Sequence, residues 1–173
     1  MASHKTLLVP ILNEILVKEI GEANIKPLKW SKLSPTKYKF LVYINDLTEV
    51  VDVDFQKITK DIEKQFYFPP KYRELKNTYN IGYLISKVEI QFAKTDLKTL
   101  LIILSTVVDI IKNFIKEQSP DALYIRGTEK ELGSGDIYKK TNLYKAFIEK
   151  QIQQIHGFGV DTYRDGFIIV KLK

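Results

Sequence analysis

The sequence predicts one α+β domain built on a mixed, mostly antiparallel sheet flanked by helices, and three observations carry that reading. Apolar residues recur with a period of two in "YKFLVYI" and "EVVDVDF", the pattern of strands with one buried face. They recur with a helical period in residues 6 to 20, where Leu8, Ile11, Leu12, Ile15, Leu16 and Ile20 form one stripe. A nearly continuous apolar helix, "LKTLLIILSTVVDII", leads past Pro120 into the short apolar run "ALYIRG", as a helical crossover between parallel strands does. A chain of 173 residues is expected to form a single domain over residues 1–173.

After the first helix and Gly21, Pro27 and Pro35 leave room only for a short edge strand around Leu28 to Lys32. An antiparallel hairpin follows. Tyr38, Phe40, Val42 and Ile44 share one face of its first strand, Val51, Val53 and Phe55 one face of its second, and "NDLT" supplies the turn. Residues 57 to 67 have helical character. Residues 66–80 then form an aromatic excursion, because Pro69 and Pro70 forbid regular pairing. A third long strand is expected in "SKVEIQFA", with Val88, Ile90 and Phe92 on one face.

The central helix is expected from Thr95 or Asp96 to about Glu117, with an apolar course that implies packing on more than one side. Leu104 and Ile111 are placed towards the sheet. After "ALYIRG", residues 127–140 read as a flexible loop around Gly133-Ser134-Gly135, and Thr141 or Asn142 caps a helix to about Ile155. "GVDTY" and "FIIVKL" close the chain as a hairpin about Arg164-Asp165-Gly166.

Composition excludes several chemistries. With no cysteine there is no disulfide framework, thiolate zinc site or cysteine nucleophile. The net charge of +6 is spread evenly, 14 basic and 11 acidic side chains in residues 1–93 against 13 and 10 in the remainder, so nucleic acid is not the favoured partner. Charged residues interrupt the apolar start at helical spacing, unlike a signal peptide, and no run approaches the roughly 20 apolar residues of a membrane span. The expectation is a soluble, intracellular protein with no membrane partner.

The order of elements over residues 84 to 173 resembles the second half of the GNAT acetyltransferase fold: the strand "KVEIQFA", the central helix, "ALYIRG", the helix "NLYKAFIEKQI" and a terminal hairpin. The combination, with "STVVDIIKNFIKEQSPDALYI" and "GFIIVKLK", is also similar to a group of proteins encoded by tailed bacteriophages. The GNAT resemblance implies acetyl-CoA as cofactor and places Tyr144, beside Asn142, as a candidate general acid. It further implies a glycine-rich phosphate turn at the start of the central helix. Here that junction reads "QFAKTDLKTL", without glycine and with Asp96 where the phosphates would sit. The glycines of "ELGSGD" lie one element later, flanked by Glu131 and Asp136, whose charge has the wrong sign.

The sequence therefore points first to a non-catalytic phage protein of the virion or the host cytoplasm, with no cofactor and no metal site. Its expected partner is a phage or host protein or a second copy of itself. The alternative is an N-acetyltransferase with an atypical acetyl-CoA site. Phe66, Tyr67, Phe68, Pro69 and Tyr72 form the candidate interface, since clustered aromatics beside prolines give large apolar area at low entropic cost. His4 and His156 are the only imidazoles, the first near the chain terminus and the second after a helix, and neither is expected to be catalytic. Asp52 and Asp54 are read as the solvated side of a strand rather than as metal ligands.

Overall fold

The computed structural model describes residues 25–44, 46–59, 70–72, 74–85, 88–89, 97–126, 146–163 and 166–173. In chain order these form β1 (Trp30–Ser34), β2 (Lys37–Ile44), β3 (Leu47–Lys57), a 3-10 turn (Pro70–Tyr72), β4 (Thr78–Ile85) and β5 (Val88–Glu89). Helix α1 (Leu97–Gln118), β6 (Ala122–Arg126), helix α2 (residues 146–152), β7 (Phe158–Tyr163) and β8 (Gly166–Lys171) follow. Seven strands pair in the order β1-β2-β3-β4-β6-β8-β7, and the two-residue β5 pairs back on β4. The fold is α+β with a mixed sheet, in which β4 and β6 are the parallel pair and the remaining pairs are antiparallel.

The β2–β3 hairpin forms where the period-two pattern places it. Tyr38, Phe40 and Val42 are buried opposite Val53, Val51 and Glu49, and the pairing runs without slip from Lys37↔Asp54 to Ile44↔Leu47. Only Asn45 and Asp46 lie between the closing pair, and Asp46 adopts a φ of 65°, which a short polar side chain tolerates. Strand β3 runs on to Lys57, so the helical character expected from residue 57 does not begin there; residues 60–67 of that segment lie outside the described residues.

Two further boundaries differ from expectation. The edge strand starts at Trp30 rather than Leu28, because the Leu28 amide donates to Thr106 Oγ1 on α1 (2.9 Å) instead of to β2. The long strand beside β3 is "TYNIGYLI" rather than "SKVEIQFA": β4 makes seven consecutive pairs with β3, from Lys57↔Tyr79 to Val51↔Ile85. The aromatic excursion thus ends before Thr78. Asn80 and Gly82, both strand-poor residues, occupy the outer face of β4 and hide its alternation. Val88 and Glu89 form only a short return on β4, and Ile90 and Phe92 lie outside the described residues.

Helix α1 packs as its composition demands. Leu101, Leu104, Val108, Ile111 and Ile115 form one buried stripe and Ile103, Val107, Ile110 and Phe114 a second, so the helix is enclosed on two sides. It joins β2, β3, β4, β6 and β8 in one core, to which α2 adds Phe147, Ile148 and Ile152. Aromatic rings link the layers: Phe114 stacks on Phe55 with centroids 3.8 Å apart, and Tyr79 meets Phe114 edge-on at 5.0 Å. Ser119, at a φ of 45°, and Pro120 terminate α1. The predicted crossover is present, with β4 as its first strand, and the closing hairpin pairs Tyr163↔Gly166 across a two-residue turn. Helix α2 gives way to turns at residue 153, before the expected end at Ile155.

Candidate functional site

Because side chains alternate along a strand, the residues of β2–β4 that point away from the core define an outer face. On β2 these are Lys37, Lys39, Leu41 and Tyr43; on β3, Thr48, Val50, Asp52, Asp54 and Gln56; on β4, Asn80 and Gly82. Register arranges them in rows. Lys37 faces Asp54, Lys39 faces Asp52, Leu41 faces Val50, Tyr43 faces Thr48, Gly82 faces Asp54 and Asn80 faces Gln56. Each lysine of the central rows therefore has an aspartate directly opposite, which neutralises the face without assembling a basic strip.

The far end of this face is apolar and uncovered. Leu41 is 57% exposed and Tyr43 64%. They project from adjacent outward positions of a single strand. In the middle, Gly82 is exposed, and a Cβ placed there would meet nothing within 4 Å. Beside it the Asn80 Oδ1 is buried without a hydrogen-bond partner.

Next to Asn80 the sheet divides. Strands β4 and β6 pair at only three positions, Thr78↔Ala122, Tyr79↔Leu123 and Asn80↔Tyr124. Since β3 occupies the other edge of β4, β5 must lie on this edge at Leu84 and Ile85, which leaves residues 81–83 between the two pairings with no strand beside them among the described residues.

The other half of the outer face, over β6–β8, is covered. Tyr72 packs with Ile58, Ala122, Tyr124 and Ile168 in a second apolar cluster, joined by Leu75 and Val170. The Tyr72 hydroxyl donates to Asp161 Oδ2 on β7, and Lys71 Nζ reaches the same oxygen at 3.1 Å while lying over the Tyr72 ring. Burial first, and then this bond to a carboxylate, push the Tyr72 phenol above its ordinary pKa; the Asp161 contact likewise raises Lys71.

Of the residues expected to form the interface, only Tyr72 is described; it is buried, 8% exposed, with its ring in the second cluster. Phe66, Tyr67, Phe68 and Pro69 lie outside the described residues, as do Tyr144, Asn142, His4, Asp96 and the Gly133–Gly135 loop. His156 is exposed in the turn after α2. Asp52 and Asp54 stand opposite lysines as described, and among the described residues no group of three His, Cys, Asp or Glu side chains is placed to hold a metal ion. No helix of the described residues is long and apolar enough to cross a membrane.

Leu41 and Tyr43 were legible as outward positions but carry no motif; the signal is their occurrence in the solvent phase of an otherwise alternating strand. Compared with known protein families, curated proteins and solved structures, the chain matches none.

Proposed function

We propose that this chain acts through protein contacts rather than through chemistry, docking a partner on the outer face of β2–β4. The observation that carries the reading is the exposure of Leu41 and Tyr43 together on that face. The pairing of Lys37 and Lys39 with Asp54 and Asp52 favours a protein over a nucleic acid, whose phosphates need unmatched basic groups. The partner is a protein presenting an apolar patch bordered by both signs of charge, to match the apolar end and the balanced rows. On the expectation of a tailed-phage protein, the partner to seek is another virion component or a host factor.

The test is the double variant Leu41→Ser, Tyr43→Ser. Both side chains point away from the core, so the fold should persist, and a partner identified by crosslinking in infected cells should bind at least roughly tenfold more weakly, as loss of an interface aromatic commonly does. Undiminished binding of that partner by a folded variant would overturn the proposal. A fall in solution mass from dimer to monomer would instead make the occupant a second copy of the chain.

A second reading, an N-acetyltransferase with an atypical acetyl-CoA site, is favoured by the division of the sheet between β4 and β6. The crossover through α1, followed by α2 and a terminal hairpin whose β8 lies against β6, supports the GNAT-like order. Ligands of open α/β sheets commonly lie where strands part. Calorimetry with acetyl-CoA separates the readings: micromolar binding supports transfer chemistry, and no heat at millimolar cofactor removes it.

A further inference from the structure

The stretch that carries Tyr72 is fastened at both ends and by different chemistry. At its C-terminal end Asn77 is clamped. Its amide donates to Asp121 Oδ2 (2.9 Å), its carbonyl accepts from the Asp121 amide (2.8 Å), and its side-chain nitrogen reaches the carbonyls of Gln118 and Ser119 (each 3.3 Å). Asp121 also accepts from the Lys171 amide (3.0 Å), so this clamp joins the start of β4, the end of α1, the start of β6 and the end of β8. At the other end, the hold is side-chain chemistry at one oxygen: Tyr72 and Lys71 both reach Asp161 Oδ2, on the edge strand β7. Between the ends, the Leu75 amide donates to the Tyr72 carbonyl (3.1 Å).

The cluster beneath is separate from the main core and, among the described residues, small, with five buried residues, two of which, Ile58 and Tyr72, come from outside the sheet's β6 and β8 strands. A cover whose hold at this end, among the described residues, is one carboxylate over a small apolar patch opens at lower free energy than the sheet beneath it, because local stability follows the number of buried contacts.

We propose that residues 71–72 and 74–77 form a latched strap, hinged at Asn77–Asp121 and released at Asp161, whose opening uncovers Ala122, Tyr124 and Ile168. Release extends the uncovered outer face from β2–β4 towards β6 and β8. The opening is a property of the chain alone and does not depend on the docking reading.

The absence of cysteine provides a direct probe. Ala122→Cys places a single thiol in a buried position under the strap. Its reaction with a thiol reagent should be faster than global unfolding permits and insensitive to low denaturant. Adding Tyr72→Phe, which keeps the ring and removes the latch hydroxyl, should accelerate labelling roughly tenfold or more, the loss expected for a hydrogen bond to a charged group. The midpoint of global unfolding should move little. Equal labelling in both backgrounds, or labelling only at the rate of global unfolding, overturns the proposal. Should Ala122→Cys fail to fold, amide exchange of cysteine-free protein makes the same measurement: Leu75 should exchange faster on Tyr72→Phe while Ile125, in the β6–β8 ladder, does not. Unchanged Leu75 exchange is equally decisive against it.

Discussion

Phe114 concentrates the packing of the core in one side chain. It is fully buried on α1, stacked face to face on Phe55 and met edge-on by Tyr79, so it joins the helix to β3 and β4 at once. Phe114→Ala should cost about 3–5 kcal/mol, and Leu104→Ala or Ile111→Ala about 2–5 kcal/mol, in urea denaturation. A loss below about 0.5 kcal/mol at Leu104 or Ile111 would mean that α1 presents another face to the sheet, since such a value belongs to surface positions. Tyr38 is the opposite case. Its ring is buried between Trp30 and Phe55, yet its hydroxyl closes no bond of full hydrogen-bond geometry, nor does the buried side-chain nitrogen of Asn113, although Asn113 stands close enough to oppose slightly the upward shift that burial imposes on the phenol. Tyr38→Phe should therefore be neutral or stabilising by up to about 1 kcal/mol, because it removes an unsatisfied group without changing shape. A clear destabilisation would show that Tyr38 and Asn113 are bonded in solution.

At the scale of the element, two glycines separate by their backbone. Gly157, between α2 and β7, has a φ of 89°, and its carbonyl accepts from the Leu172 amide (2.7 Å). Gly157→Ala should lower stability by about 1–2 kcal/mol, the cost of a Cβ in the left-handed region. Gly82, in the middle of β4, has no such restriction and open space where a Cβ would go. Gly82→Ala should therefore stabilise by about 0.4–1 kcal/mol through the unfolded chain. Thermal melts of the two variants should move in opposite directions, and a destabilised Gly82→Ala would mean that the strand relies on backbone freedom there. The same residue explains why β4 was misplaced by sequence. Strands β2 and β3 were legible because apolar and polar residues alternate cleanly along both, whereas Asn80 and Gly82 leave β4 without a readable outer face. "SKVEIQFA" alternates better, but register with β3 is a long-range property that local periodicity does not encode.

Over the whole molecule, a polar seam ties the edge of the sheet to its central helix. Ser105 donates to the Ile25 carbonyl, Thr106 accepts from the Leu28 amide, Asp109 accepts from Trp30 Nε1 (2.8 Å), and Glu117 pairs with Lys32. Sequence reading recognised α1 as enclosed but not this stripe, because its partners lie about 80 residues away. The Lys32 contact lowers the Glu117 pKa, against a smaller opposing effect of burial, and the Glu117 contact raises that of Lys32. The Glu117 contribution is thus present above its unfolded titration and lost as pH falls through the depressed folded one. That of Lys32 is full below its unfolded titration and lost as pH rises through the raised one. The stability difference between wild type and Glu117→Gln should accordingly be constant near neutrality and vanish in acid. A difference that persists unchanged at low pH would assign it to packing instead.

The seam also diverts the chain. By holding Ile25 and Leu28 against α1, it ends β1 at the Trp30↔Phe40 pair, so Leu41–Ile44 of β2 have no neighbouring strand on that side among the described residues. An unmatched row of amides and carbonyls next to exposed Leu41 and Tyr43 is a template on which another extended chain can lengthen the sheet. In concentrated solution, this short edge is where ordered aggregation would nucleate. Asp46 at the hairpin tip is a charge that opposes such growth, and neutralising it should shorten the lag before fibrils form.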